Sequence, residues 1–298
     1  MPWLQPSSVR QRHAGLQVCS SCSPNDTAAL SVRLSSCIDD VFNWLRSNRL
    51  QPNPEKTELM WCSSARRRHT LPCTALTFGD AAIIPTRSVR NLGVYFDETL
   101  TMCEHVSHTT ARCFGALRQL RSIRRQVPPT VFRSLVTALV LSRLDYGNGV
   151  LVGLPHDQLR RLQMVQNAAA RLIFDLRRND HISDALVELH WLRVPERIDF
   201  KILTLVYRCL HGTAPRYLDV FRRVADLPGR RRLRSAATDQ LVVPAAKLVT
   251  VGDRSFPVAG AVRWNQLPPD ITSAESLDIF KNRLKTLLFR RAYPQLHL

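Results

Sequence analysis

At 298 residues the chain is long enough for one large domain or two ordinary ones, which excludes a small fold held together by disulfides. Lysine and arginine number 42 against 24 aspartate and glutamate, and the net charge of +18 favours a polyanionic partner over an acidic or neutral one. The eight cysteines are scattered, and no apolar signal core opens the chain. The longest strongly apolar run (residues 135–141) is too short to span a bilayer. We therefore expect an intracellular protein, nuclear or cytoplasmic, that is neither secreted nor inserted in a membrane.

The positive charge is concentrated toward the C-terminus, because residues 201–298 carry +10 of the +18. Only five of the basic residues are lysines, and arginine is the better bidentate partner for phosphate. The alternative interpretation is a basic protein with no such partner. The densest run of charge consists of Arg230, Arg231, Arg232 and Arg234.

An amphipathic helix is predicted over residues 29–49, followed by short strands. Proline at positions 52 and 54 should end the helix, and residues 79–80 have the composition of a turn. We therefore expect a helix lying on a small antiparallel sheet. The apolar stripe of the helix comprises Leu34, Ile38, Val41, Phe42 and Leu45. The strands are predicted at residues 57–62, 76–78, 83–84 and 92–96.

Ordered sets of residues across the chain resemble the reverse transcriptases of LINE-type non-LTR retrotransposons, in particular the jockey-like group. The first two sets are Phe42, Trp44, Leu45, Asn48, Leu50, Asn53, Pro54, Lys56, Thr57 and Glu58, then Asn91, Leu92, Gly93, Val94 and Asp97. Further sets lie at residues 143–148, 166–172, 189–192 and 264–268. The resemblance covers about residues 17–292, and such spaced sets in one order are more specific than a single motif. It implies the end of a polymerase palm, then a thumb and a C-terminal region.

The same resemblance locates the two metal-binding aspartates of the family on a turn before the strand that residues 17–19 would form. In this chain the turn is residues 12–15, so Ala14 and Gly15 stand in the aspartate positions. Nucleotidyl transfer needs carboxylates that hold two Mg²⁺ ions, and neither residue supplies one. The third carboxylate and the fingers would precede Met1. We therefore expect no polymerase catalysis and no cofactor, with Mg²⁺ only if the chain is part of a longer active enzyme.

Other candidate catalytic or metal-binding residues are weaker. Asp39 and Asp40 are predicted on the polar side of the first helix, where adjacent carboxylates are solvated charge. The resemblance implies that Lys56 is a vestige of the lysine that protonates departing pyrophosphate in the family. The other interpretation of Lys56 is a lysine on the edge of a strand. Cys19 and Cys22 have the spacing of half a zinc site without a second pair, so no metal is expected.

Gly93 is a candidate for contact with nucleic acid. The resemblance equates it with the primer-grip turn, where glycine lets the backbone approach a strand. A glycine in a β-bulge is an equally good interpretation of the same residue.

Helices are predicted from residue 103 onward, and the first of them presents arginines beside its apolar face. The resemblance makes it a thumb helix whose flank, Arg118, Arg121 and Arg125, meets phosphates. Thr272 and Glu275 are predicted as a capping box. Further helices are expected at residues 131–144 (apolar nearly all round and hence buried), 155–175, 183–189, 195–212, 258–264 and after the capping box. Strands are expected at residues 241–243 and 248–251.

The expected fold class is α+β and predominantly helical, with a palm remnant of a small antiparallel sheet and a helix, a helical thumb and a mostly helical C-terminal region. The expected divisions are a poorly ordered start at 1–28, a palm remnant at 29–100, a thumb-like region at 101–226 and a basic region at 227–298.

The leading functional hypothesis is a truncated reverse-transcriptase fragment without catalysis of its own, which binds RNA or DNA without sequence specificity. Two alternatives stay open: a helical protein-interaction module adapted by a host, and a mis-predicted piece of a longer active reverse transcriptase. The residues assigned to nucleic-acid binding are Gly93, Arg118, Arg121, Arg125, Arg230, Arg231, Arg232 and Arg234.

Overall fold

The computed structural model describes residues 8–12, 15–50, 53, 56–78, 81–226, 239–246, 248 and 250–295. The chain divides into two compact units, Met1–His105 and Val106–Leu298. The described part is mostly helical with short antiparallel strand pairs, which confirms the expected predominantly helical α+β class. Each unit is described by itself below.

The strands of the first unit form three separate antiparallel pairs, so the prediction of one small sheet is wrong. With strands of three to five residues, each pair is completed by its own hairpin partner. The pairs are β1 (Ser8–Arg12) with β2 (Gly15–Cys19), β3 (Leu76–Phe78) with β4 (Ala81–Ile83), and β5 (Ser88–Asn91) with β6 (Val94–Asp97). The turn expected at residues 79–80 lies outside the described residues.

The strand predicted at residues 57–62 is reduced to a single parallel bridge between Leu59 and Pro85. The bridge rests on the hydrogen bond that Thr86 N donates to Leu59 O, at 2.8 Å. Because Pro85 has no N–H to donate, it cannot extend a ladder. The segment is therefore irregular.

The predicted first helix is confirmed as α1 (Thr27–Ser47), which packs on β3. Its buried residues Leu30 and Leu34 join Leu76 and Ile83 in one cluster. Six partly buried residues pack around this cluster: Val18, Cys22, Ile38, Phe42, Leu59 and Trp61. Regular structure begins before the expected residue 29, with β1, β2 and a 3₁₀ turn at Pro24–Asp26.

The second unit is built from helices that pack around α7. This helix contacts α5, α8 and α10, and Pro195 in its first turn and Gly212 just beyond its end occupy the predicted positions. The helices, of which α2 begins just before the unit boundary, are α2 (Cys103–Ile123), α3 (Pro129–Val136), α4 (Ser142–Asp145), α5 (His156–Phe174), α6 (Ser183–Glu188), α7 (Val194–Leu210), α8 (Phe256–Trp264), α9 (Pro269–Thr272) and α10 (Leu277–Ala292). No helix in the described ranges is long and apolar enough to cross a membrane.

Helices α3 and α4 are joined by a π-helical segment, Thr137–Leu141, into one continuous helix. We predicted a helix buried on all sides, but Val131 and Leu139 are 49% and 41% exposed. Val136, Val140 and Leu144 are buried on the opposite face. The helix carries apolar side chains on nearly all of its faces, yet neighbouring elements cover only one of them.

Three C-terminal predictions are wrong. Ser276 caps α10, its Oγ accepting a hydrogen bond from Ile279 N at 3.3 Å, whereas Thr272 ends α9 and forms no capping box for α10. The strand predicted at 241–243 is a single bridge between Leu241 and Arg223. At the described residues of the strand predicted at 248–251 (248, 250 and 251) there is no strand, and Gly252 N donates to Leu248 O at 2.7 Å.

Candidate nucleic-acid interface

The arginines predicted on the flank of α2 are exposed. Val106, Cys113, Leu117 and Leu120 form the buried apolar face of α2, and they hold the helix in the core of its unit. Arg118, Arg121 and Arg125 all lie on the solvent side. At 3.6 residues per turn, Arg118 and Arg121 are neighbours on one face, about 100° and about 40° around the helix from buried Leu117.

A groove of about 490 Å³ runs between α2 and α5, and two of the predicted arginines line it. Arg118 and Arg121 form the cationic part of its wall, and the remaining lining side chains are apolar. These are Ala111, Phe114 and Leu117 from α2 and Ala168 and Leu172 from α5. The groove therefore combines positive charge with an apolar floor.

Polar contacts join α2 and α5 beyond both ends of the groove. Near the helix starts, Arg161 Nη2 donates to Ser107 Oγ at 3.3 Å. Near the helix ends, Arg124 forms an ion pair with Asp175, with 2.6 Å between Nη1 and Oδ1. The two helices therefore run in the same direction, and Ser107 and Arg124 are about 26 Å apart along α2 at 1.5 Å per residue.

The electrostatics at the second of these contacts are set by arginine. The hydrogen bond from Arg124, and then its charge, lower the pKa of the Asp175 carboxyl, with smaller contributions from Arg125 and Arg121. Arg124 is thus occupied by a carboxylate. Arg125 lies in the 3₁₀ turn Arg124–Gln126 after α2 and is not among the groove-lining residues.

The arginine run at Arg230, Arg231, Arg232 and Arg234 lies outside the described residues. The chain segments on either side of it lie next to each other. Val224 N donates to Gln240 O at 2.8 Å, and Val242 N donates to Arg222 O at 2.9 Å. Asn265 holds the second segment with both atoms of its amide, donating to Leu241 O at 2.9 Å and accepting from Leu241 N at 2.8 Å.

In the first unit, Gly93 lies in a two-residue hairpin turn between β5 and β6. Asn91 pairs with Val94, and Leu92 and Gly93 have φ angles of 48° and 85°. Two successive left-handed residues are typical of a type I′ turn, so the β-bulge interpretation is wrong. Asn91 Nδ2 also donates to Gln17 Oε1 at 3.0 Å, which ties this hairpin to the middle of β2.

The residues that the resemblance sets in place of the family's aspartates do not fit a pair of Mg²⁺ ions. Gly15 opens β2 opposite Arg12 and has no side-chain ligand, and Ala14 lies outside the described residues. Over the part of the chain that the structure describes, no group of three or more His, Cys, Asp or Glu could hold a metal. Asp39 and Asp40 are exposed on α1, in agreement with solvated charge.

Lys56 is exposed and lies outside every described strand, so the strand-edge interpretation of this residue is wrong. Its backbone N–H donates to Asn53 O at 3.2 Å in a turn. The irregular course of residues 57–62 removes the edge on which it would have stood.

Sequence reasoning missed the apolar part of the groove and the Arg161 contact. Phe114 offered a signal, because it is a large apolar residue that falls outside the buried stripe of α2. Leu172 of α5 is half-buried at the groove. Ala111 and Ala168 carry no signal of their own, since small residues mark a groove only when the opposite helix is known.

Comparisons with protein-family models, with curated proteins and with solved structures found no match for this chain.

Proposed function

We propose that this chain is a nucleic-acid-binding fragment derived from a LINE-type reverse transcriptase, without polymerase catalysis of its own. The observation that carries the proposal is the pair of exposed arginines, Arg118 and Arg121, on the groove between α2 and α5. The net charge of +18 supports it, since a strongly basic surface attracts the phosphate backbone. The proposed derivation from a LINE-type reverse transcriptase rests on the resemblance in the ordered sets of sequence residues.

Neither arginine has an ion-pair partner among the described contacts, in contrast to Arg124, which Asp175 holds. A guanidinium in this position is ready to form charge-assisted hydrogen bonds with phosphate oxygens. Such contacts carry no sequence information, so binding is expected to be non-specific.

A salt series of filter-binding measurements tests the proposal. Changing Arg118 and Arg121 together to Gln should weaken binding to all sequences alike and reduce the slope of log affinity against log salt by about 2 on duplex DNA. Lys285 and Arg290, both exposed on α10, are the matched control, because their replacement by Gln removes the same charge from another helix. An unchanged slope in the α2 variant, or an equal loss in the α10 variant, contradicts the assignment to α2.

The absence of polymerase catalysis is tested by primer extension. Purified protein is expected to extend no primer on RNA or DNA templates with Mg²⁺ or Mn²⁺, because Gly15 and Ala14 supply no carboxylate. Extension that survives stringent purification and disappears when Asp39 and Asp40 are both changed to Ala would refute this part of the proposal.

The second candidate function is a helical protein-interaction module. The apolar floor of the groove favours it, since phosphate contacts alone have no use for Phe114 or Leu172. A protein that binds no nucleic acid at low salt would favour this candidate over the first.

A further inference from the structure

The groove between α2 and α5 contains apolar side chains that the phosphate backbone of a duplex would not contact. Five of its lining side chains are apolar, and the two arginines lie along the same helix as Phe114. From Ala111 to Arg121 the α2 side of the groove is about 15 Å long. The groove is open rather than enclosed, and its volume is about 490 Å³.

A duplex would use only part of this surface. Its bases are stacked inside the helix, and it offers phosphates to the arginines and nothing to an apolar floor. An unpaired nucleotide offers both parts at once, since its base has an apolar face and its phosphate is an anion. Proteins that bind single strands combine basic grooves with rings on which bases pack.

Small side chains provide the room for a base. Ala111 and Ala168 lie on opposite helices, and the Phe114 ring is half-buried beside them. The contacts Arg161 to Ser107 and Arg124 to Asp175 link the two helices beyond the ends of the groove.

We infer that the groove between α2 and α5 binds an unpaired nucleobase against Phe114, with the adjoining phosphates on Arg118 and Arg121, so that the protein prefers single-stranded nucleic acid to duplex. This inference rests on the proposed function and names the form of nucleic acid that the site takes. The charge of the wall selects a polyanion, and the apolar floor selects one whose bases are free.

The experiment measures the affinity of the full chain for labelled oligodeoxythymidylate and for a duplex of equal length in the same buffer. Phe114→Leu removes the ring, and Ala168→Leu fills the groove, while both variants keep every arginine. Each should weaken single-strand binding about tenfold and leave duplex binding within about twofold. Ala111→Leu fills the groove from the exposed side of α2 at little cost in helix propensity, and replaces Ala168→Leu if that variant fails to fold.

The outcomes separate this inference from the proposed function. Loss of the single-strand preference in the variants, with duplex binding kept, supports it. Equal wild-type affinities for the two forms, or a preference that survives both groove variants, overturns it while nucleic-acid binding stands. Absence of any binding at low salt overturns both. An acidic amphipathic peptide that occupies the wild-type groove when oligodeoxythymidylate does not would assign the groove to a protein partner and overturn the inference.

Discussion

Asp97 shows how a single residue shapes the end of a strand. Its side chain is buried, and Oδ1 accepts hydrogen bonds from Thr101 N at 2.8 Å and from the hydroxyls of Thr99 and Thr101 at 2.9 and 3.0 Å. Burial by itself raises the pKa of this carboxyl, but the hydrogen bonds from Thr101 and Thr99 outweigh it and lower the pKa. The ionised carboxylate therefore organises the turn after β6.

This arrangement predicts a pH-dependent contribution to stability. Because the pKa of Asp97 is lower in the folded protein than in the unfolded chain, its ionisation stabilises the fold. This stabilisation is complete at pH values above the unfolded-state pKa, near 3.9, and it is lost as the pH falls through the folded-state pKa. Asp97→Asn should cost about 1–3 kcal/mol at pH 7, because hydrogen bonds to a charged acceptor are lost, and less at pH 3. Urea unfolding at both pH values measures the difference. Asp40→Asn on exposed α1 removes the same charge as a control, and an Asp97 effect that stays constant with pH would contradict the argument.

Helices α5 and α7 are linked by glutamine side chains of α5. Gln166 is fully buried, and its Nε2 donates to Leu192 O at 2.8 Å. Val194 N, at the start of α7, donates to Gln163 Oε1 at 2.9 Å. Two of the spaced sequence sets, at 166–172 and 189–192, thus meet through a side chain bonded to a backbone carbonyl.

The contact predicts the effect of removing the amide. Gln166→Leu keeps an apolar body of similar size and leaves the buried Leu192 carbonyl without this donor, so unfolding should become easier by about 1–3 kcal/mol. Gln119→Leu on the exposed side of α2 is the control and should change stability by less than about 0.5 kcal/mol. Chemical denaturation of both variants measures the difference. Equal stability of the Gln166 variant and the wild type would show that this hydrogen bond does not hold α5.

The whole molecule consists of two units with unequal cores. In the first, the described cluster under α1 contains four buried apolar side chains: Leu30, Leu34, Leu76 and Ile83. Its strands occur as two-stranded pairs, which are marginal in isolation. In the second unit α7 has buried residues along its whole length, from Val194 to Cys209. Tyr207, Phe280 and Trp264 stack in series, with ring centroids 4.4 and 5.7 Å apart.

The difference in core size between the two units predicts how fragments of the chain unfold. A fragment of residues 106–298 should unfold cooperatively, because its core lies within it, whereas residues 1–105 alone should show no cooperative transition. Thermal unfolding followed by circular dichroism distinguishes the two. A sharp transition for residues 1–105 would mean that the small cluster under α1 is sufficient for folding.

Most helices, and part of the candidate site, could be predicted from the sequence. The spacing of Leu34 and Ile38 in α1, and of Leu117 and Leu120 in α2, marks one apolar face, and a helix needs only local hydrogen bonds to form. Gly212, with a φ of 65°, follows the end of α7 at the last residue of the helix predicted at 195–212. The exposed position of Arg118 and Arg121 followed from the same periodicity.

The tertiary structure decided which faces are covered. The stretch that contains Val131 and Leu139 is as apolar as a buried helix, yet these residues are exposed, because periodicity records composition and not the neighbour that packs there. Strand pairing was equally undetermined, since short apolar runs do not specify their partners. The groove, too, is decided by tertiary packing. Phe114 and Ala168 are far apart in sequence, and only the packing of α2 and α5 brings them together beside the arginines.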